Sequence, residues 1–356
     1  MGAELQTLGP EAMLRYQALV PDAVSAVTER FYATHGSAYA QFGLRGRDLC
    51  REDLAFHLEF LRPVLEFGLL QPMVDYLCWL GGVLAARSIP EGHLAQSLDW
   101  LGEFFADRME APEGQMVSDA LRAARMEFVR AGAAQPVNPQ EPDALPEAAE
   151  FETALLGGNQ RAALALLNRC LDDGRDLIEV EQRVIQPALY RIGEKWQSNQ
   201  VTVAQEHMAT AMVQSAMTMG LLRSRPPAPV NKRVLLACVE GNNHAVGLRM
   251  VADAFQLGGW DVQYLGANVP TPALVAQAAE WKPDLVGLSV SFPQQLRVVK
   301  TIIAQLEERL GSTRPAVIIG GLAINRFNQL AGVVGADACM ADAQAAIVSA
   351  NNMVKR

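Results

Sequence analysis

The C-terminal part of the chain alternates short apolar runs with amphipathic stretches five times. Apolar runs of this length fit strands buried on both faces, and the stretches between them have the apolar spacing of helices. Strands that alternate with helices form a parallel sheet, because each helix carries the chain back across it. We therefore predict a flavodoxin-like, doubly wound parallel sheet over residues 233–356. The predicted strands are Val234–Val239, Val262–Leu265, Leu285–Val290, Val317–Ile319 and Ala338–Met340.

The preceding residues show helical apolar spacing and no alternating strand pattern. The segment 135–146 carries four prolines in twelve residues and cannot continue a helix, so it is predicted to be a linker. It separates an all-helical domain at 1–134 from a second helical block at 147–222, whose four helices with short connections predict a four-helix bundle. A second proline-rich linker at 223–232 leads into the sheet domain.

Composition limits the classes of function. Half of the 356 residues are hydrophobic and 19% are charged, which predicts a multidomain globular protein. The net charge of -9, without a Lys/Arg cluster, argues against a nucleic-acid partner. Five scattered cysteines without a CxxC motif fit a reducing compartment. With no secretory signal and no membrane-length apolar run, we expect a cytoplasmic protein with no membrane partner.

His244 is the first candidate site residue. It lies in the loop 240–247, between the first predicted strand and the helix that follows. This loop falls at the carboxyl edge of the predicted sheet, where open α/β sheets bind ligands. A neutral imidazole there is suited to coordinating a metal through one ring nitrogen. The alternative is a loop histidine that only caps a helix.

Other small or polar residues recur at the ends of later predicted strands. Together with His244, the set is Gly247, Ser289, Ser291, Gly320 and Gly321. This order resembles the cobalamin-binding domain of methionine synthase and its relatives. The resemblance implies that His244 is the lower cobalt ligand and that the two serines lie along the cleft for the displaced nucleotide tail. It also implies that the glycine pair forms the floor of this cleft, where a side chain would fill the space the nucleotide needs.

Asn242 marks a departure from that family, which usually has Asp or Glu two residues before the histidine. An asparagine can accept a hydrogen bond and orient the imidazole. It cannot supply the charge that raises ligand basicity. We therefore expect Asn242 to contact the imidazole as a neutral partner.

The helical bundle carries a second set of candidates. Trp196 ends one predicted helix, and Glu206 and His207 lie on the next. This triplet resembles the helical cap of the cobalamin-dependent photoreceptor repressors. The resemblance implies that Trp196 packs over the upper face of the corrin and shields an adenosyl group, with Glu206 and His207 lining the same space. The structural alternative is a core tryptophan beside a solvated Glu-His pair.

Two further features concern the signal. Gln197 stands where the photoreceptor repressors have a histidine that captures cobalt after illumination, and an amide is a poor cobalt ligand beside imidazole. The first 134 residues also contain no basic recognition helix. The sequence therefore predicts light sensing without binding to operator DNA. It leaves open the downstream signalling partner and a homodimer.

The first domain is rich in aromatic residues and contains three of the five histidines. The whole chain resembles the photocobilins, which join a globin-like bilin-binding domain to a cobalamin-binding module. The resemblance implies that biliverdin or another linear tetrapyrrole binds there, with its propionates on arginines and its pyrrole nitrogens near a His or Asp. The candidates are His57, Arg62, Asp75, Tyr76 and Arg87, with Cys78 as either a thioether site or a buried thiol. A plain interaction or dimerisation domain is the alternative.

The expected function is a photoreceptor and not an enzyme. Adenosylcobalamin would bind between bundle and sheet, and light would break its cobalt–carbon bond and change how the domains pack. The alternative is a corrinoid methyl carrier that serves separate methyltransferases, which needs the open upper face that Trp196 would cover. A mutase subunit would need a substrate barrel that this pattern cannot supply.

Overall fold

The computed structural model describes residues 5–132, 143–225, 227–327 and 331–354, within two compact units that span residues 1–137 and 138–356. The predicted linker 135–146 lies outside the described residues up to position 142. The two units are described separately below.

The described part of the first unit is helical, as predicted. Its helices are α1 (Pro10–His35), α2 (Gly43–Phe67), α3 (Leu70–Ala85), α4 (Glu91–Arg108) and α5 (Glu113–Ala131), and a 3-10 turn, Gly36–Phe42, joins the first two. The core forms where these helices bury their apolar faces. Tyr16, for example, stacks on Phe105 with ring centroids 4.9 Å apart and donates a 2.8 Å hydrogen bond to the carbonyl of Leu58.

The second unit begins with the helical bundle. Its helices are α6 (Glu147–Leu156), α7 (Gln160–Asp172), α8 (Leu177–Val180), α9 (Gln186–Gln197) and α10 (Val203–Arg223). A π-helical turn, Glu181–Ile185, joins α8 to α9, so the helix predicted as continuous over Leu177–Trp196 is interrupted. The bundle core also includes Met250, which belongs to the α/β domain, so the two parts of this unit share buried surface.

The α/β domain contains a five-stranded parallel sheet in the order β2-β1-β3-β4-β5, which confirms the predicted parallel sheet. Its strands are β1 (Arg233–Val239), β2 (Asp261–Val269), β3 (Leu285–Ser289), β4 (Ala316–Gly320) and β5 (Ala338–Met340). Its helices are α11 (Val246–Leu257), α12 (Thr271–Trp281), α13 (Leu296–Leu310), α14 (Leu322–Arg326), α15 (Ala331–Val334) and α16 (Ala343–Met353). Helix α11 packs with α16 and α12 packs with α13, the pairing expected of a doubly wound sheet.

Strand register brings the predicted site residues into one row. Cys238 pairs with Ser289, Ser289 with Gly320, and Gly320 with Met340, at the carboxyl ends of four neighbouring strands. The strand order reverses between β1 and β3, which is where sheets of this kind open a crevice for ligands. The loops that follow these two strands therefore form the candidate site.

Candidate functional site

His244 lies in the loop between β1 and α11, and its ring is exposed. The ring meets Phe292 edge-on, with centroids 5.2 Å apart and planes at 76°. Partial desolvation lowers the pKa of His244, and the negative charge of Glu206 opposes part of this effect. An imidazole that is neutral near pH 7 and keeps an accessible ring can donate a nitrogen lone pair to a metal.

The backbone of His244 is fixed from both sides. The Oδ1 atom of Asn242 accepts a 3.1 Å hydrogen bond from the backbone N–H of His244, and the thiol of Cys238 donates to the His244 carbonyl at 3.6 Å. Asn242 therefore orients the main chain of His244, and its contact with the imidazole stays a prediction. Asn242 is fully buried and orients the main chain from which the ring projects.

Asn242 also ties the His244 loop to β3. Its Nδ2 atom donates to the carbonyl of Ser289 at 2.9 Å, and the Ser289 hydroxyl lies 3.5 Å from the same nitrogen. Ser289 is thus a buried partner of Asn242. An aspartate could not make the donated bond, because an ionised carboxylate only accepts. The structure therefore gives a reason for asparagine at this position.

Gln295 is a site residue that sequence reasoning missed. Its Oε1 atom accepts from the backbone N–H groups of Ser291 and Phe292 at 3.0 and 3.1 Å. Its Nε2 atom donates to the carbonyl of Gly241 at 2.9 Å. One buried amide therefore links the loop after β3 to the loop after β1, and it holds the main chain at Ser291. The only sequence signal was an amide at the start of a helix, which is too common to single out.

The glycines have two different environments. A Cβ at Gly320 would lie 2.9 Å from the carbonyl oxygen of Met340, and one at Gly321 would lie 2.6 Å from that of Val290. Gly321 also has φ of +101°, a conformation that other residues rarely adopt. The chain's own backbone therefore requires glycine at these two positions, which corrects the reason given from the sequence. At Gly247 a Cβ would meet no atom within 4 Å, so this side of the loop faces open space.

Trp196 and Glu206 lie on either side of one short turn in the bundle. Trp196 is half-buried in the last turn of α9, followed by Gln197, where α9 ends. Thr202 caps α10 through a reciprocal capping box with Gln205, which fixes the first turn of that helix. Glu206 follows directly in that turn, so the helix cap determines where its carboxylate points.

Glu206 is held by its neighbours. One carboxylate oxygen accepts from Thr210 at 3.0 Å, and the other forms an ion pair with Nδ1 of His207. The His207 side chain is 76% exposed, whereas that of Glu206 is 33% exposed. The negative charge of Glu206 acts to raise the pKa of His244, so the bundle carboxylate lies near enough to the loop imidazole to interact with it electrostatically. Two surface concavities of about 410 and 450 Å³ lie elsewhere and include no predicted site residue.

In the first unit, the side chains of His57 and Tyr76 hydrogen-bond to each other inside the core, and this buried pair is called the closed His57–Tyr76 pair below. Both are buried, and His57 Nδ1 lies 2.8 Å from the Tyr76 hydroxyl. Burial lowers the pKa of His57 to about 3, so this imidazole stays neutral at ordinary pH. Phe60 stacks on Tyr76 with centroids 3.8 Å apart. These contacts are those of a satisfied core, so a tetrapyrrole would have to displace them.

The other tetrapyrrole candidates have separate partners. Arg62 is buried and pairs with Glu66 at 3.1 Å and with Glu59 at 3.6 Å. Asp75 accepts from Gln71 at 2.7 Å, and Arg87 donates to the carbonyl of Val83 at 2.9 Å. Cys78 is buried. Among the five candidates, His57 and Tyr76 are in direct contact.

Two features are absent from the described residues: a membrane-spanning helix and a metal-binding cluster. No helix there is both long enough and apolar enough to cross a bilayer. No cluster of three or more His, Cys, Asp or Glu side chains is arranged there to hold a metal ion.

Comparison with known proteins agrees with this geometry. A B12 binding domain family matches residues 232–350, and a second B12 binding domain family matches residues 147–219. The first therefore covers the α/β domain and the second the helical bundle.

Individual relatives match more than half of the chain. The HTH-type transcriptional repressors CarA and CarH of Myxococcus xanthus are 29% and 28% identical, over 60% and 68% of this chain and 68% and 81% of their own lengths. A corrinoid protein of Desulfitobacterium hafniense is 23% identical over 58% of this chain and 96% of its own. The Methanosarcina barkeri monomethylamine corrinoid protein aligns in structure with a TM-score of 0.49 and 20% identity, over 57% of this chain and 96% of its own. The chain thus carries two B12 binding domains, one over its helical bundle and one over its parallel sheet.

Proposed function

We propose that this chain is a light sensor that binds adenosylcobalamin between the helical bundle and the α/β domain. The observation that carries the proposal is that the helical bundle and the α/β domain each match a B12 binding domain family and pack against each other through α11. His244 lies in the loop that leads into α11, and the negative charge of Glu206 on the bundle acts to raise the pKa of its imidazole. When bound, the cofactor supplies a cobalt–carbon bond that light breaks.

His244 is the residue proposed to hold cobalt, from the lower side. Its exposed ring is available, and its backbone is fixed through Asn242 and Cys238. Such support reduces the entropy that the ligand loses on binding. The loop is open at Gly247, where a Cβ would meet no atom within 4 Å. The row of Ser289 and Gly320 borders the crevice proposed for the nucleotide tail.

Trp196 is the residue proposed to cover the upper ligand. Its half-buried indole at the end of α9 is large and apolar, which suits contact with a bulky adenosyl group. Loss of that group would remove this contact and favour a different packing of bundle against sheet. Because Gln197 is a poor cobalt ligand, we propose that the response is a change in domain packing without a new protein ligand at residue 197.

A corrinoid methyl carrier is the second candidate, and a specific observation favours it. A corrinoid protein is 23% identical to this chain over 96% of its own length, which supports the carrier as an alternative. A carrier must present its upper ligand to a separate methyltransferase. A fixed cover from Trp196 would oppose this, so the two candidates differ in the accessibility of the upper face.

For the first unit we propose a globin-like, bilin-binding role, with biliverdin or another linear tetrapyrrole as ligand. The closed His57–Tyr76 pair speaks against binding at that point. A second cluster is more accessible: the rings of half-buried His35 and His93 stack with centroids 4.0 Å apart, and His35 also stacks on Trp100. Because Gln96 binds Nε2 of His35 and Tyr39 binds Nδ1 of His93, the opposite nitrogen of each ring is the one proposed to meet a pyrrole nitrogen.

Absorption spectra test these proposals. The full chain is purified with adenosylcobalamin and biliverdin and recorded in the dark, after blue-green light and after red light. A light sensor gives a cobalamin spectrum that photoconverts under blue-green light and is lost or altered in His244→Ala but not in the control Asn243→Ala, which changes the exposed neighbouring residue. A protein that exchanges methyl groups with a methyltransferase and shows no light-dependent change in domain packing would contradict the sensor. Red-light conversion would support the bilin, and a cobalamin spectrum alone would refute it.

A further inference from the structure

Two acidic side chains lie buried where the bundle meets the α/β domain, and the proposed light response does not use them. Glu181 is the first residue of the π-helical turn and is 0% exposed, and Asp253 on α11 is 1% exposed. Within the described residues, no N–H or hydroxyl group donates to either carboxyl oxygen of Glu181 or to Oδ2 of Asp253. Unsatisfied buried oxygens are costly, so their presence requires an explanation.

One shared proton can satisfy two of these three oxygens. The side chains of Glu181 and Asp253 interact with each other, and only a protonated carboxyl can donate a hydrogen bond to the other. Burial, followed by the charge of Asp253, raises the pKa of Glu181 to about 10. Burial also raises the pKa of Asp253, but the hydrogen bond from Arg249 opposes that rise. Glu181 is therefore the group that keeps the proton near neutral pH.

The charged surroundings contain one compensating cation. Arg249 donates from Nε to Oδ1 of Asp253 at 2.7 Å, and the charges that act on Glu181 are those of Asp253 and Arg249. The Arg249 guanidinium also lies 6.0 Å from the ring of Tyr264 on β2, whose hydroxyl donates to Ala245. Loss of the shared proton would leave two negative charges against one positive charge in a dry contact, which is unfavourable.

Helix α11 is the element on which such a charge would act. It contacts both α8 and α10 of the bundle, and Met250 on α11 is part of the bundle core. We propose that Glu181 and Asp253 share one proton that latches the bundle onto α11, and that losing this proton releases the bundle from the α/β domain. The inference concerns the chain without cofactor and goes beyond the proposed light response.

Hydrogen–deuterium exchange of the cofactor-free full chain tests the latch. Exchange is followed in peptides that cover 177–190 and 246–257 between pH 6 and 8, after correction for the intrinsic rate. If release ionises Glu181, the opening equilibrium rises about tenfold per pH unit, because one proton is lost on opening. Glu181→Gln cannot lose a proton and should show a flat profile. The matched control Glu179→Gln, two residues earlier and partly exposed, should keep the slope.

A wild-type profile that is flat, or a slope that persists in Glu181→Gln, would overturn the latch. Asp253→Asn is a second variant that tests the proposal if Glu181→Gln fails to fold. Its amide can donate to an ionised Glu181 and removes the like charge, so the slope should fall below tenfold per pH unit. A slope equal to that of the wild type in Asp253→Asn would also overturn the proposal.

Discussion

Replacing Asn242 by aspartate should destabilise this protein. The Nδ2 atom of Asn242 donates to the Ser289 carbonyl at 2.9 Å, and the residue is fully buried. An aspartate loses that hydrogen bond, worth about 1 kcal/mol, and sets an anionic oxygen against a carbonyl oxygen, which costs roughly 1–3 kcal/mol more. We expect Asn242→Asp to lower the free energy of unfolding by about 2–4 kcal/mol at pH 8.

The pH dependence of this loss has a definite sign. Burial beside an acceptor should raise the folded-state pKa of the new Asp above its unfolded value. The protonated side chain can donate to Ser289, so the deficit is small below the unfolded pKa and grows as pH rises through the folded pKa. Urea unfolding at pH 4.5 and 8, with hydrogen exchange of β1 and β3 to localise the effect, measures it.

Asn243→Asp is the matched control, because Asn243 lies next in the same loop and is exposed. It should change the free energy of unfolding by no more than about 0.5 kcal/mol at either pH. Equal stabilities of Asn242→Asp and Asn243→Asp at pH 8 would refute the assignment of the Asn242 amide as an essential donor to β3.

Three shorter predictions follow from other parts of the structure. Gly321→Ala should lower the free energy of unfolding by about 2 kcal/mol or more, whereas Gly247→Ala, which faces open space, should change it by less than about 1 kcal/mol; urea unfolding compares them. Burial lowers the pKa of His57 from about 6.5 in the unfolded chain to about 3, so the free energy of unfolding should fall by about 1.4 kcal/mol for each pH unit between these two values as the pH is lowered. His57→Gln should remove this slope. If the free energy of unfolding of the first unit depends on pH in the same way in the wild type and in His57→Gln, this prediction is contradicted. Glu206→Gln should lower the pKa of His244 in an NMR titration, and an unchanged pKa would contradict the interaction between Glu206 and His244.

The sequence predicted best what local patterns determine. Alternation of apolar runs and helices was sufficient for the parallel sheet, because buried parallel strands leave a continuous apolar signal. It also placed Ser289 and Gly320 at strand ends, and register then brought them side by side. His244 followed from its place after β1. These features depend on residues that are close together in the chain or on one topological rule.

What could not be predicted depends on contacts between distant segments. Gln295 bonds to Gly241, and Asn242 bonds to Ser289, so their roles appear only once β1 and β3 are neighbours. Glu181 reads as an ordinary polar helix residue until α11 covers it. His57 suggested a ligand contact, but burial and Tyr76 satisfy it within the core. Side-chain hydrogen bonds across the fold carry no periodic signal.

The central claim is that His244 coordinates cobalt from below, and electron paramagnetic resonance of the reduced cobalt(II) state tests it directly. The full chain is labelled with ¹⁵N and loaded with unlabelled cobalamin. If the His244 imidazole is the ligand, the nitrogen splitting should change from the triplet of ¹⁴N to the doublet of ¹⁵N, and it should disappear in His244→Ala. A triplet that persists in the labelled protein would mean that the cofactor's own base remains bound, which would contradict the account.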